Sequence, residues 1–199
     1  MRNKEDTKKN LLASLDRILK ERGFEGLGIN AVAREAGVSK MLIYRYFGNM
    51  EGLLEAYAGS KGFWPAQKTE MENILSENRD RGIPDLASAY MKHFLRELRK
   101  RPATQEVMRW ELSHQNEITR SLATIREEQG MEMMDFLEDQ LKLKDQLDIK
   151  ALTALISAGI SYLILRAKTA DVFLGIPIND DTGWERMETI IEVIFRKLL

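Results

Sequence analysis

The 199-residue chain contains no cysteine. That excludes a disulfide framework, a thiolate nucleophile and any cysteine-bound metal, and it fits a reducing compartment. No apolar run reaches the roughly twenty residues that a bilayer span needs. The best stretch, Ala151 to Leu165 between Lys150 and Arg166, stops at fifteen and reads as a buried helix. The N-terminal MRNKEDTKKN is too charged for a secretory signal, so a cytoplasmic location is expected. Internal repeats, low-complexity tracts and sustained strand-like alternation are also lacking. No Ser-His-Asp set, phosphate loop or metalloprotease helix appears, so neither an enzyme nor a cofactor is expected.

What is present is a globular composition, 44% hydrophobic and 31% charged, ample for a packed core. The net charge of −1 argues against a generic nucleic-acid coat, but the charge is unevenly spread. Residues 1–62 hold 11 basic and 8 acidic side chains, and the remainder holds 19 and 23. A basic head on an acidic body presents only the head to phosphate.

Helical periodicity runs through nearly every segment. Leu11, Leu12, Leu15, Ile18 and Leu19 form one apolar face, with Gly23 as the stop. A second short helix fits Ile29 to Ala36 and a third fits about Ser39 to Phe47. Gly48 breaks the third, and Asn49 caps a fourth carrying Leu53, Leu54 and Tyr57. Longer helices are expected near 66–79, 84–100, 103–114, 117–142, 148–172 and 182–198. Pro84 and Pro102 suit first-turn positions, and Thr182 with Glu185 matches a capping box. The fold class is therefore all-α.

The stretch AGVSKMLIYRYF, residues 36–47, joins two short helices at a glycine. This is the pattern of a helix-turn-helix, in which the second helix enters the major groove and the first braces it. Ala33 and Ala36 are small enough for close helix approach. Gly37 supplies a positive φ, Val38 plugs the space between the helices and Ser39 can cap the second. Tyrosines with a ring on the domain and a hydroxyl toward phosphate fix register without reading sequence. Lys40 and Arg45 fit contact with base edges, arginine to guanine being the commonest specific contact.

INAVAREAGVSKMLIYRYFGNMEGLL, residues 29–54, resembles the N-terminal signature of the TetR family of bacterial transcriptional repressors. The matching features are Ala33, Ala36-Gly37-Val38-Ser39, Tyr44, Tyr46, Phe47, Glu51 and Leu53. The resemblance implies a three-helix DNA-binding head (residues 1–48) and a helical ligand-binding and dimerisation body (residues 49–199). It also implies a homodimer built on the last two helices. Asn30, Ser39, Lys40, Met41, Leu42, Tyr44, Arg45 and Tyr46 are then the residues expected at a double-stranded DNA operator. Four positions depart from the family pattern. Gly28 replaces a capping Thr or Ser, and Met41 and Leu42 replace a glycine and a small polar residue. Met50 replaces a phosphate-binding lysine, so that role is not carried over. Met41 and Leu42 are expected to make apolar contacts, such as with a thymine methyl.

In the body, methionines and aromatics can make an adaptable apolar pocket. Phe63, Trp64, Met91, Phe94, Met108, Trp110 and Met134, with the polar Glu111 and His114, are expected to hold a small-molecule effector. His93 and Asn116 are further polar candidates. Glu111 and His114 form one Glu-x-x-His pair. Carboxylate-bridged metal bundles use two such pairs, so a metal protein is an alternative from a different class. A DNA-bound adaptor without an effector is another. Small residues along the helix from Asp148 (Ala151, Ala154, Ser157, Ala158 and Ser161) permit close approach of another helix. Beside the apolar stripe Trp184, Met187, Ile190, Ile191, Ile194, Phe195 and Leu198, they suit a four-helix dimer interface. The resulting expectation is a homodimeric, effector-responsive repressor, with the fourth helix as the lever between body and head.

Overall fold

A computed structural model describes residues 3–60, 63–65, 68–77, 81–141 and 148–199. Among them are ten α-helices: α1 Lys4–Arg22, α2 Ile29–Ala36, α3 Met41–Phe47, α4 Met50–Ala58, α5 Lys68–Glu77, α6 Ile83–Arg99, α7 Pro102–Ser113, α8 Glu117–Leu141, α9 Ile149–Arg166 and α10 Asp181–Leu198. The architecture is all-α. The expected extensions of α5 to 66 and 79, and of α8 to 142, lie outside the described residues. The chain divides into two compact units, residues 1–64 with 101–128, and residues 65–100 with 129–199.

The first unit is built on α1. Leu11, Leu15, Ile18 and Leu19 are buried on its inner face, each contributing about 1.5–3 kcal/mol of apolar transfer. Around them pack Val32, Ala33 and Ala36 of α2, Ile43 of α3, Leu53 and Leu54 of α4, Ala103 and Val107 of α7, and Leu122 of α8. The chain turns from α1 into α2 through a 3-10 turn, Phe24–Gly26. The Asn49 side chain caps α4, its Oδ1 accepting from the Gly52 amide at 2.8 Å. Gly52 itself has no room for a side chain, since a Cβ there would stand 2.1 Å from the Phe47 carbonyl oxygen. Gly52→Ala is therefore expected to push α3 and α4 apart and to destabilise the head by ~1–3 kcal/mol. A urea melt checks this, and an unchanged midpoint would show that the helices yield freely.

In the second unit α6 is the central helix. On α10, Trp184, Ile191 and Phe195 are buried. Four ion pairs run in antiparallel register between α6 and α10: Asp85 with Arg196, Lys92 with Glu192, Arg96 with Glu188, and Arg99 with Asp181. Exposed pairs of this kind contribute at most about 1 kcal/mol each, so they set register more than stability. Leu86 and Met133 form a second small core with Ile74, Ile83, Tyr90, Met134 and Phe136 around it. Burial raises the Tyr90 hydroxyl to about 12.

Three expectations are corrected here. The ninth helix ends at Arg166, not near 172. A two-stranded antiparallel hairpin follows, β1 Val172–Phe173 and β2 Ile176–Pro177. Two-residue strands give no visible alternation, and Leu174-Gly175 is not the usual hairpin dipeptide. The last helix is capped by Asp180 rather than by a Thr182–Glu185 box. Asp180 Oδ1 accepts from the Thr182 amide at 2.9 Å and the Gly183 amide at 3.3 Å. Thirdly, α9 is not a buried helix. Ile149, Ile160 and Ile164 are buried, but Leu155 is 75% exposed and Tyr162 is 53% exposed.

Candidate nucleic-acid interface

Local chemistry places α3 on the surface. Gly37 adopts the left-handed conformation, φ 62° and ψ 39°, which Gly alone enters without steric cost. The Val38 amide donates to the Ala33 carbonyl at 3.0 Å and the Gly37 amide donates to the Arg34 carbonyl at 3.2 Å, a Schellman closure of α2. From α1, Asn10 Nδ2 donates to the Ala36 carbonyl at 2.7 Å. Arg17 Nε lies 3.0 Å from Glu35 Oε1. These bonds hold the turn from both helices. At the start of α3, Ser39 Oγ accepts from the Met41 amide at 3.3 Å. At its end Gly48, φ 81°, closes the helix with its amide on the Tyr44 carbonyl.

Ile43 is completely buried and fixes which face of α3 points inward. With 3.6 residues per turn, Met41 and Arg45 then point directly away from the core. Lys40 and Tyr44 lie together on one flank, and Leu42 and Tyr46 on the other. Met41 is 63% exposed and Tyr44 45% exposed. Ser39, Lys40 and Arg45 are exposed, while Leu42 and Tyr46 are half-buried. Lys4 Nζ sits 5.9 Å from the Tyr46 ring centre. Asn30, in the first turn of α2, is exposed as well. All eight expected residues therefore lie on α2, α3 or the turn between them.

The residues expected around an effector divide between the two units. Phe63, Trp64, Met108, Trp110, Glu111 and His114 belong to the first, and Met91, Phe94 and Met134 to the second. In the first unit Tyr57, Phe63 and Trp64 meet edge to face, with ring centres 4.7 and 4.6 Å apart. Trp110 stacks on Phe24 with centres 3.6 Å apart, and His114 stacks on Trp110 at 5.6 Å. The Glu111 carboxylate pairs with Arg126 of α8, and its side chain is only 6% exposed. Burial pushes the Glu111 carboxyl above its ordinary value, and Arg126 opposes the shift. Arg126 also lies over the Trp64 ring, 5.5 Å from its centre. Trp64 Nε1 and Glu111 Oε1 are buried without a hydrogen-bond partner.

His114 falls just beyond the end of α7, and Glu111 turns to Arg126 rather than to it, so the Glu-x-x-His pair does not converge. Among the described residues no three histidine, aspartate or glutamate side chains gather as a metal set. Asn116 caps α8, its Oδ1 accepting from the Thr119 amide at 3.0 Å while its own backbone amide donates to Thr119 Oγ1 at 2.9 Å. His93 Nε2 lies 3.1 Å from Glu70 Oε2. Sequence reasoning passed over Arg126 and Phe24. Each meets its partner from another helix at long separation, and neither pairing leaves a spacing to read.

Residues 11–57, which span α1 to α4, match the family model described as bacterial regulatory proteins, tetR family. Over those residues the chain carries the N-terminal region of the TetR family. Its general role is accordingly transcription regulation through a DNA-binding head. Solved structures share the fold over almost the whole chain. The transcriptional regulator FadR from Bacillus subtilis, solved in complex with stearoyl-CoA, is 15% identical with a TM-score of 0.66, covering 94% of this chain and 96% of that one. A TetR-family regulator from Rhodococcus sp. is 20% identical with a TM-score of 0.65, over 96% and 99%. A TetR-family protein from Vibrio parahaemolyticus is 21% identical with a TM-score of 0.60, over 94% and 97%. No curated protein matches the chain.

Proposed function

We propose that this protein is an effector-responsive repressor that binds a near-palindromic operator as a homodimer. The observation that carries the reading is the surface of α3, where exposed Met41 and Arg45 stand opposite the fully buried Ile43, with exposed Lys40 and Tyr44 on one flank. Arg45 and Met41 are the base readers, the first suited to guanine and the second to a thymine methyl. Lys40, expected at base edges beside Arg45, lies instead on the Tyr44 flank, so Tyr44 and Lys40 hold the flanking phosphates, with Asn30, Ser39, Leu42 and Tyr46 around them. Residues 1–48 act as the reading head and residues 49–199 as the responding body.

The homodimer reading rests on α9 and α10. On the outer face of α9, Ala151, Ala154, Leu155, Ala158, Gly159 and Tyr162 are exposed. On α10, Ile190 is 49% exposed and Val193 44%. By length and composition α9 could cross a membrane. Yet it also packs against α6, with Ile160 and Ile164 buried on its inner side, so its outer face calls for protein rather than lipid. The small residues leave holes for Leu155 of a second copy, which makes the face self-complementary. Two recognition helices then enter successive major grooves about 34–36 Å apart.

For the effector, the two unmet atoms on either side of Arg126 supply the polar anchor. Trp64 Nε1 offers a donor and Glu111 Oε1 an acceptor. Tyr57 links this cluster to the head. Its hydroxyl donates to Asp16 Oδ1 on α1 at 2.6 Å, and its ring meets Phe63. Tyr57 closes α4, the lever proposed between effector and DNA. Release requires an effector that prefers the state with the wrong spacing, since equal affinity shifts nothing. A screen for molecules that release operator DNA tests this. Glu111→Leu is expected to abolish release while leaving DNA affinity without effector unchanged. Release that survives the substitution would move the effector site away from Glu111.

A further inference from the structure

The hairpin between α9 and α10 carries a conflict that the described residues do not resolve. Its two-residue loop is Leu174-Gly175, with φ 48° and 78°. Two successive positive φ values are the pattern of a type I′ turn, whose first position favours Asn, Asp or Gly. A leucine there is strained. Among the described residues nothing covers it: the side chain is 88% exposed, and Val172 nearby is 56% exposed. The seven residues Val172–Ile178 include no charged side chain.

The hairpin is also held firmly. A Cβ on Gly183 would stand 1.5 Å from the Pro177 carbonyl oxygen, so the strand is pressed against the first turn of α10. Trp184 Nε1 donates to the Ile178 carbonyl at 3.0 Å. The Ile178 amide donates to the Asp171 carbonyl at 2.8 Å. On its other side Phe173 meets Tyr162 of α9 edge to face, ring centres 5.6 Å apart. Tyr162 belongs to the outer face of α9 that the homodimer would cover. A second copy seated on Tyr162 therefore meets the hairpin next.

We infer that the hairpin is a rigid dimer arm and that Leu174 at its tip is an apolar anchor taken up by a second copy of this chain. The inference rests on the homodimer reading and extends its interface beyond α9 and α10. A braced arm delivers its tip already ordered, so little conformational freedom is lost on docking. The strain at Leu174 is offset only once the side chain leaves water.

Leu174→Asn separates the two roles of the position, since asparagine suits the turn and cannot serve as an apolar anchor. Sedimentation equilibrium on the full chain is expected to show a dimer dissociation constant raised at least about tenfold. The unfolding midpoint in a monomeric Leu155→Glu background is expected to be equal or higher. If Leu155→Glu dissociates the protein and Leu174→Asn leaves the constant unchanged, the arm serves another partner and this assignment is wrong. A lowered midpoint in the Leu155→Glu background would make any weakening a folding effect and would also overturn it. A wild-type protein that is monomeric at every concentration would overturn the homodimer reading itself, and the arm with it.

Discussion

Leu155→Glu is expected to turn the protein into a monomer and to lower its operator affinity by roughly 10²–10⁴-fold, the advantage that joining two binding modules confers. Leu155 is 75% exposed in the single chain, so the fold loses little, about 0.5 kcal/mol or less for a surface change of this kind. In a symmetric dimer the same position faces its counterpart's helix twice. Each glutamate would lose its water among alanines, and the two charges would approach each other across the axis. The expected signature is an intact circular dichroism spectrum, a halved mass in sedimentation velocity, and weak half-site binding in place of tight operator binding. A variant that stays dimeric would place the interface elsewhere.

Arg45→Ala is expected to cost ~1–3 kcal/mol per half-site on the operator and far less on random duplex. Arg45 stands opposite Ile43 on a helix whose inner face is completely buried there, so its loss removes contact without disturbing packing. Tyr44→Phe provides the contrast. It removes one hydroxyl from the flank of α3 and is expected to weaken operator and random DNA about alike, because phosphate contacts carry no sequence information. Fluorescence anisotropy on both duplexes distinguishes the two behaviours. Equal losses for Arg45→Ala on both would remove it from the base readers.

The head was legible in the sequence because its constraints are local. Gly37 needs a positive φ, Asn49 caps the helix it precedes, and Ala33 and Ala36 let helices approach. Each of these acts within a few residues of itself, and the structure has α2 at Ile29–Ala36, the range that periodicity alone gives. The body was less legible because its decisive contacts are long-range. Arg126 finds Glu111 and Trp64 from another helix, and Trp110 finds Phe24 across 86 positions of sequence. Hydrophobicity alone does not separate a helix covered on all sides from one covered on one side, and the apolar stretch from Ala151 to Leu165 leaves Leu155 and Tyr162 exposed. The hairpin escaped notice because Leu174 occupies a position where Asn or Asp would have announced a turn.

The most direct test of a sequence-reading, dimeric regulator is selection of random duplex DNA by the purified protein, followed by affinity against salt on the enriched sequences. The expected result is a near-palindromic winner with half-sites one helical turn apart, bound tightly and losing affinity steeply as salt rises. Failure to enrich any sequence, with binding that follows salt alone, would contradict base reading by α3.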